Sequence, residues 1–475
     1  TGEPGKDAAD IWIRGIATPN TATPLILVDG VERAFNDIDP EDIESLTTLK
    51  DASATAVYGV RGANGVIIIK TKPGKIGKPT ISADYYESFT RFTKMVDLTD
   101  GVSYMKAANE ALRNDGLATK FTDSQIQNTI LGKDQYLYPN VDWLNEIFND
   151  WGHNRRVNVN VRGGSEKVSY YASVSYFNET GMTVTDKSIN TFDSKMKYSR
   201  YNFTTNLSID VTPTTKVEIG AQGYLGEGNY PAISSKDLYN AAMSISPVEY
   251  PKMFFVNGEA YIPGRSTNNN FNNPYSQATR RGYDNLTKNQ IYSNLRITQD
   301  LDMLTKGLKL TAMYAFDVYN EIHVHQDRAE STYYFLDTNV PYDLDGQPIL
   351  QRIYTGTNVL SYKQETSGNK KTYLEASLNY DRAFGDHRVS GLFLFNQQQK
   401  LLYPKGTLED AIPYRMMGIA GRATYSWKDR YFAEFNIGYN GAENFSPKNR
   451  YGTFPAYGVG WVISNEKFWE PLSKV

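Results

Sequence analysis

Hydrophobic positions fall into two patterns along the chain. In residues 1–75 they come in blocks. Leu25, Ile26, Leu27 and Val28 form one β-rich run, and Val66, Ile67, Ile68 and Ile69 form another. Asp29-Gly30 after the first run is a tight-turn dipeptide. Asp39-Pro40-Glu41-Asp42 reads as a helix start: a capping Asp, Pro at the first position and acids in the first turn. Ile43, Leu46 and Leu49 then recur at helical spacing, so the pattern predicts a helix over residues 40–50, with a second small-residue helical turn over 51–58. Ile11-Trp12-Ile13-Arg14-Gly15 predicts a short strand ending in a glycine turn. Gly59, Gly62 and Gly65 lead into the second run, and Lys72-Pro73-Gly74-Lys75 closes the unit as a linker.

From Lys78 onward the period is two. In residues 200–211 the odd positions are Tyr201, Phe203, Thr205, Leu207, Ile209 and Val211, and the even ones Arg200, Asn202, Thr204, Asn206, Ser208 and Asp210. Successive strand side chains point to opposite faces, so this sheet has one oily and one wet side. The same alternation returns in about twelve segments. Short turns at Gly163-Gly164-Ser165-Glu166, Thr212-Pro213-Thr214-Thr215, Thr305-Lys306-Gly307, Phe384-Gly385-Asp386-His387 and Trp427-Lys428-Asp429-Arg430 alternate with long segments at 90–153, 178–197, 229–281, 326–362, 402–412 and 440–453. Tight turns on one rim and long loops on the other predict a membrane all-β fold, an antiparallel transmembrane β-barrel. Within the loops, Tyr104, Ala107, Ala108, Ala111 and Leu112 predict a helix. Ile126/Ile130 and Trp143/Ile147 predict shorter ones, and residues 233–245 another.

Composition agrees with this reading. Tyr (35) and Phe (21) are abundant, yet only 40% of residues are hydrophobic, as expected where strands are apolar on one face only. The mean hydropathy is −0.51. No run reaches the roughly 18 apolar residues of a membrane-crossing helix. A net charge of −3 with no basic run gives no footprint for nucleic acid. With no Cys, thiolate catalysis and Cys-based zinc sites are excluded. Gly59-x-x-Gly62-x-x-Gly65 precedes a strand and lacks a Walker lysine, so it is not a phosphate loop. His323-x-His325 places two imidazoles on one strand face, but no third ligand is evident and no metal is expected. Asp343-Leu344-Asp345-Gly346 reads as an Asp-rich turn, a fragment of a calcium loop without its remaining ligands. No catalytic grouping emerges, and no cofactor is expected.

Several strings together carry a family resemblance. They are Leu27-Val28-Asp29-Gly30, Asp39-Pro40-Glu41-Asp42-Ile43-Glu44-Ser45, Leu49-Lys50-Asp51-Ala52-Ser53-Ala54 and Tyr58-Gly59-x-Arg61-Gly62-Ala63-Asn64-Gly65-Val66-Ile67. They resemble the plug of SusC-type (SusC/RagA-like) TonB-dependent outer-membrane transporters. Trp143-Leu144-Asn145-Glu146-Ile147-Phe148, Gly163-Gly164-Ser165-Glu166, Tyr451-Gly452-Thr453-Phe454-Pro455-Ala456 and Ser464-Asn465-Glu466-Lys467-Phe468 extend the likeness along nearly the whole chain. The resemblance implies a small α/β plug in the lumen of a barrel that has about 22 strands in the family, of which this chain carries about twelve. Residues 1–75 are then the C-terminal portion of the plug, and 76–475 the N-terminal portion of the barrel with its long extracellular loops. The family's TonB box is not in this sequence, and the chain reads as a segment of a longer protein.

The resemblance also implies a function: TonB-dependent import across a Gram-negative outer membrane, and no enzyme activity. Its partners are a SusD-like surface lipoprotein lid, TonB with the ExbB/ExbD motor, outer-membrane lipid and an oligosaccharide or peptide substrate. A SusCD heterotetramer is its assembly. Loops would be extracellular, and the plug and short turns periplasmic. The plug motif residues are Arg14, Asp29, Gly30, Arg61, Gly62 and Gly65. Family plug arginines pair with wall carboxylates, here expected at Glu375 and Glu434. Loop aromatics and amides, Tyr230, Tyr261, Asn269, Tyr275 and Tyr334, are the expected substrate contacts. Two other readings stay open: a siderophore- or cobalamin-type receptor without a lid, and a surface carbohydrate-binding β-protein or β-rich hydrolase.

Overall fold

A computed structural model of the chain describes residues 3–6, 9–13, 15, 23–50, 58, 61–267, 273–404 and 406–469. Four strands make the first unit: β1 Leu25–Val28, β2 Val31–Glu32, β3 Ile43–Leu49 and β4 Val66–Thr71, in the order β2-β1-β4-β3. The two apolar blocks are its central strands, paired in parallel with Leu25 opposite Val66 and Val28 opposite Ile69. They read as blocks because both faces are covered. Val28, Ile67 and Ile69 pack with Ile38 on one side, and Leu25, Leu27 and Val66 cluster on the other. Asp29 and Gly30 join β1 to β2 with φ of 52° and 91°, the left-handed conformation this tight hairpin requires.

The helix expected over residues 40–50 does not form. Asp39 does cap a turn, accepting from the Glu41 N–H at 2.9 Å, but only Pro40–Asp42 coil, as a single 3-10 turn. Residues 43–49 then extend as β3, antiparallel to β4 from Ile43 opposite Thr71 to Leu49 opposite Val66. Pairing with the free edge of β4 overrides the helical spacing, and β-branched Ile43, Thr47 and Thr48 favour it. Leu46, on the supposed apolar helix face, is half exposed. Ile11 and Ile13 pack on the plug core as irregular chain rather than as a strand. The helical turn expected over 51–58 lies almost wholly outside the described residues.

The wall follows, with a small sheet among its loops. In chain order its strands are β5 Gly77–Thr90, β6 Gly152–Gly164, β7 Val168–Thr180, β8 Lys197–Thr212 and β9 Thr215–Pro231, then loop strands β10 Phe254–Val256 and β11 Glu259–Pro263. Next come β12 Gly282–Asp300 and β13 Leu308–Asp327, loop strands β14 Thr332–Phe335 and β15 Leu350–Tyr354, and β16 Lys363–Phe384. The last are β17 His387–Tyr403, β18 Tyr414–Trp427, β19 Tyr431–Ala442 and β20 Tyr451–Trp461. Twelve of them form one antiparallel meander, each strand beside its sequence neighbour within the wall, with β5 and β20 at its two open edges. Short turns and long loops alternate along it as the sequence spacing predicts.

Burial on the wall is inverted relative to a soluble sheet. On β8 the apolar Tyr201 and Phe203 are 45% and 40% exposed, while Asn202 and Thr204 are 8% and 3% exposed. The same holds for exposed Val174 beside buried Ser173 and Ser175, and for Ile437 beside Asn436. Apolar side chains therefore face outward and polar ones face a covered interior, which suits lipid outside and a wet lumen within. On β12 the outward apolar positions are Ile291, Leu295 and Ile297, whereas Asn285, Thr287 and Asn289 face outward nearer the loops. The longer strands thus rise beyond the oily belt on the loop side, since about 9–11 residues suffice to span lipid. At the short-turn rim, His387, Trp427, Tyr431 and Trp461 stack in succession, forming an aromatic border to the belt.

Loop segments form their own core. Helices α1 Gly101–Asn114, α2 Asp123–Ile130, α3 Trp143–Ile147, α4 Ser235–Ser244 and α5 Pro274–Thr279 lie where the loop periodicity predicts, except that α5 was not foreseen. Trp143, Leu144 and Ile147 of α3 pack with Leu238 and Ala242 of α4, Tyr250, and Tyr275 and Ala278 of α5.

Candidate functional site

The plug meets the lumen wall through polar groups that are fixed on both sides. Asp42 ends the 3-10 turn and is fully buried. Its carboxylate accepts from Tyr171 Oη at 2.7 Å, Ser173 Oγ at 2.6 Å and Thr204 Oγ1 at 2.6 Å. Asp39, three residues earlier, accepts from the Ser175 hydroxyl and pairs with Arg156. Tyr171, Ser173 and Ser175 alternate along β7 and so share its lumen face. The strand period that turns apolar residues to lipid thus aims this row of hydroxyls at the plug's acids.

A second contact is an ion pair. Plug Arg33 makes a bidentate bond to Asp317 of β13, Nε to Oδ2 at 3.2 Å and Nη2 to Oδ1 at 2.8 Å, with both side chains shielded from solvent. Its guanidinium lies 4.8 Å from the Tyr292 ring and also donates to the Ser293 carbonyl. Tyr292 in turn bonds plug Asp37. Arg296 donates to the Asp29 carbonyl at 2.8 Å, and Arg200 to the Asn36 carbonyl at 2.9 Å. Asn206 reaches Thr71 and the Lys72 carbonyl, fixing the linker as it leaves the plug. Gly74 lies so close to β7 that a Cβ there would come within 2.2 Å of the Tyr170 nitrogen.

The third contact centres on Glu32. Lys371 of β16 donates to the Glu32 carbonyl at 2.6 Å and lies 3.4 Å from its carboxylate, and Arg61 Nη1 lies 2.9 Å from the same carboxylate. Burial works against a charge on Glu32, yet Lys371 and Arg61 outweigh it and hold its carboxyl below the usual carboxylate range. A cleft of about 430 Å³ opens here between the plug and β16–β20, lined by Glu32, Arg61, Glu375 and Gln398 among others.

Plug-to-wall charges therefore run mainly opposite to expectation. Arg61 pairs with Glu32 of the plug itself and, among the described residues, its wall hydrogen bond is to Gln398, 3.5 Å away. Glu375 faces the lumen but accepts from Tyr373, and Glu434 pairs with Arg422 on the adjacent strand at 3.2 Å. Each expected wall carboxylate has a nearer partner on its own wall. Arg14 lies outside the described residues. Of the other motif residues, Asp29 holds Thr71 through the backbone N–H at 3.0 Å and the hydroxyl at 2.8 Å. The Gly65 N–H donates to the Gly62 carbonyl, and Gly65 sits at φ +90°, opening β4. Sequence reasoning passed over Arg33, Asp39 and Asp42 as anchors. Asp39 and Asp42 carry a local signal, but it is that of acids at a helix start; Arg33 carries no local signal, since its partner Asp317 lies 284 positions away.

The loop residues expected to meet substrate divide. Tyr230 is buried and donates to the Pro4 carbonyl at 2.7 Å, under Lys6. Tyr275 is buried in the loop core and donates to Asp186 at 2.6 Å; burial and that carboxylate hold its phenol above the ordinary value. Both are structural. Tyr261 packs edge-on against Tyr333 and bonds Glu259, and Tyr334 lies beneath the Arg265 guanidinium and bonds it. Those two stay at the surface of the loop cap. Asn269 lies outside the described residues. The Asp343 turn is closed by its own carboxylate, which accepts from the N–H of Asp345 and of Gln347. Strand pairing also sets Asp284 beside His323 and His325, a neighbour that sequence spacing did not supply.

Comparison with known proteins places this geometry. The TonB-dependent Receptor Plug Domain family matches residues 1–66. TonB-dependent receptor P3 of Formosa agariphila is 25% identical over 98% of this chain and 44% of its own length. TonB-dependent receptor SusC of Bacteroides thetaiotaomicron is 27% identical over 98% of this chain and 46% of its own. The chain thus spans a little under half the length of these curated relatives. Among solved structures, the RagAB peptide transporter shares the fold with a TM-score of 0.70 at 20% identity, over 94% of this chain and 52% of that one.

Proposed function

We infer that this chain, which carries the plug and the wall fold of the SusC/RagA-type TonB-dependent receptors, works as part of an importer in a Gram-negative outer membrane. The observation that carries the inference is the contact between plug and wall. It is built mainly from hydroxyls, carboxylates and guanidinium groups, with one small apolar patch where plug Val31 packs on Met313, Ala315 and Tyr373 of the wall. Each such bond can exchange for one to water when the plug shifts, so release costs a few kcal/mol per charged anchor and can proceed anchor by anchor under a pull. A greasy contact of the same extent would resist wetting and hold the lumen shut. Residues 1–75 act as the gate. Residues 76–475 act as wall and loop cap, with loops outside the cell and short turns in the periplasm.

The force comes through TonB and its ExbB/ExbD motor. A SusD-like lipoprotein closes over the loop cap. The lumen face is rich in Asn, Ser, Thr and Gln, with Asn158, Asn160, Asn202, Gln222 and Gln290 all buried inward. Neutral amides and hydroxyls match the hydroxyls of an uncharged oligosaccharide, which is the cargo we favour; a peptide is the other outcome of the test. The decisive experiment compares a strain lacking the protein with its parent for uptake of labelled oligosaccharides and peptides, with and without a proton-gradient uncoupler. Energy-dependent uptake of at least one cargo should disappear. If every uptake stays unchanged, the import reading fails.

A further inference from the structure

The lumen face carries a side-chain cluster that plug docking does not use. Asp284 is the third residue of β12, and His323 and His325 lie near the loop end of β13. Asp284 pairs in register with His325, and Leu286 with His323. His323 and His325 are two residues apart and share one strand face, the face that carries buried Asp317. The sheet therefore fixes all three on the lumen side, above the plug and beyond the oily belt. His325 Nδ1 is 3.1 Å from Asp284 Oδ1, and His323 Nε2 is 3.8 Å from Asp284 Oδ2. One ligand atom from each residue lies within 4.8 Å of the others. The two imidazole centroids are 3.9 Å apart. Glu365 of β16 stands opposite His323, its Oε2 3.9 Å from His325 Nε2, while Lys363 holds its other oxygen at 2.6 Å.

We propose that Asp284, His323 and His325 bind a divalent transition-metal ion, with Glu365 as an adjacent carboxylate. Two imidazoles and one carboxylate suit zinc, copper, nickel or cobalt, whereas calcium and magnesium take oxygen donors. Bonds of about 2.0–2.1 Å need ligand atoms roughly 3.4 Å apart, a small side-chain rotation from the present spacing. The ligands belong to paired strands, so binding requires no backbone change. Three protein ligands leave a coordination position open toward the lumen, where water or an oxygen atom of a solute can sit. The site is partly accessible, with side-chain exposures of 21–29%, so an ion can enter from the loop side. It goes beyond the import reading and is independent of which cargo passes.

The test uses the full-length protein, purified in detergent and stripped with chelator. Zinc titrated by calorimetry should show one saturable equivalent. His323→Gln, His325→Gln and Asp284→Asn should each weaken it by at least the tenfold that outer-shell changes alone can cause, about 10- to 100-fold. His387→Gln, at the short-turn rim, should change nothing. Copper(II) bound to the unmodified protein should give a two-nitrogen spin-resonance signature, falling to one nitrogen in His323→Gln. That spectrum decides the matter even if a variant fails to fold. The proposal is overturned by absence of saturable zinc binding, by a copper signature without two nitrogens, or by undiminished affinity in the His323→Gln/His325→Gln double variant.

Discussion

Asp42 is fully buried and accepts hydrogen bonds from three wall hydroxyls, on β7 and β8. Hydrogen bonds to charged groups contribute about 1.5–3 kcal/mol each, and bonds within one cluster do not simply add. Asp42→Ala leaves Tyr171, Ser173 and Thr204 without their acceptor. Plug docking should weaken by about 3 kcal/mol, and less in Asp42→Asn, which keeps one acceptor oxygen. Protease cleavage of the plug in the folded barrel, followed against urea, measures this; unchanged protection in Asp42→Ala would refute the anchor. Glu32 gives a pH signature. Its folded-state pKa is depressed, so its contribution is complete above the ordinary Glu value of about 4.3 and is lost as pH falls through the lower folded value. Plug protection should therefore hold from neutral pH to about 5 and fall in more acid solution, and Glu32→Gln should remove that acid-side loss. An acid limb identical in the variant would assign it to other carboxylates.

At the scale of elements, β3 and the loops show where local pattern succeeds. Ile43, Leu46 and Leu49 have helical spacing, and Asp39 does cap a turn. The chain nevertheless extends, because β4 offers an edge whose backbone groups would otherwise go unpaired. That edge is supplied by residues more than 15 positions away, so no local window contains it. The wall strands are different. Each is long, and each pairs with its neighbour in sequence through a turn or loop, so the period of two was sufficient to place them. In α3 and α4, helical spacing held because each helix buries its apolar stripe in the loop cap's own core; α1 and α2 also form, but α1 buries Met105 and Asn109 while Ala107 and Ala111 stay exposed. Anchors on the plug were harder to see. Tyr171, Ser173 and Ser175 are ordinary alternating residues until the plug's acids stand opposite them.

For the whole molecule, the inverted burial of the wall is the controlling fact. Val174 lies mid-strand on β7 and is 65% exposed. If that face meets lipid, Val174→Arg should cost about 2–4 kcal/mol, the value for a cation at the bilayer midplane. Urea-driven unfolding from lipid vesicles measures it, and a cost near zero would place the face in water. The sequence by itself determined the alternation, the order of short turns and long loops, the loop helices other than α5 and the glycine-marked plug strands β1 and β4, because each depends on residues close together along the chain. Only the tertiary structure decided which charges meet. It set Asp42 against β7 and β8, Arg33 against Asp317, and Asp284 beside His323 and His325. Partners separated by 39 to 284 positions come within bonding distance only once the strands have registered and the plug has docked.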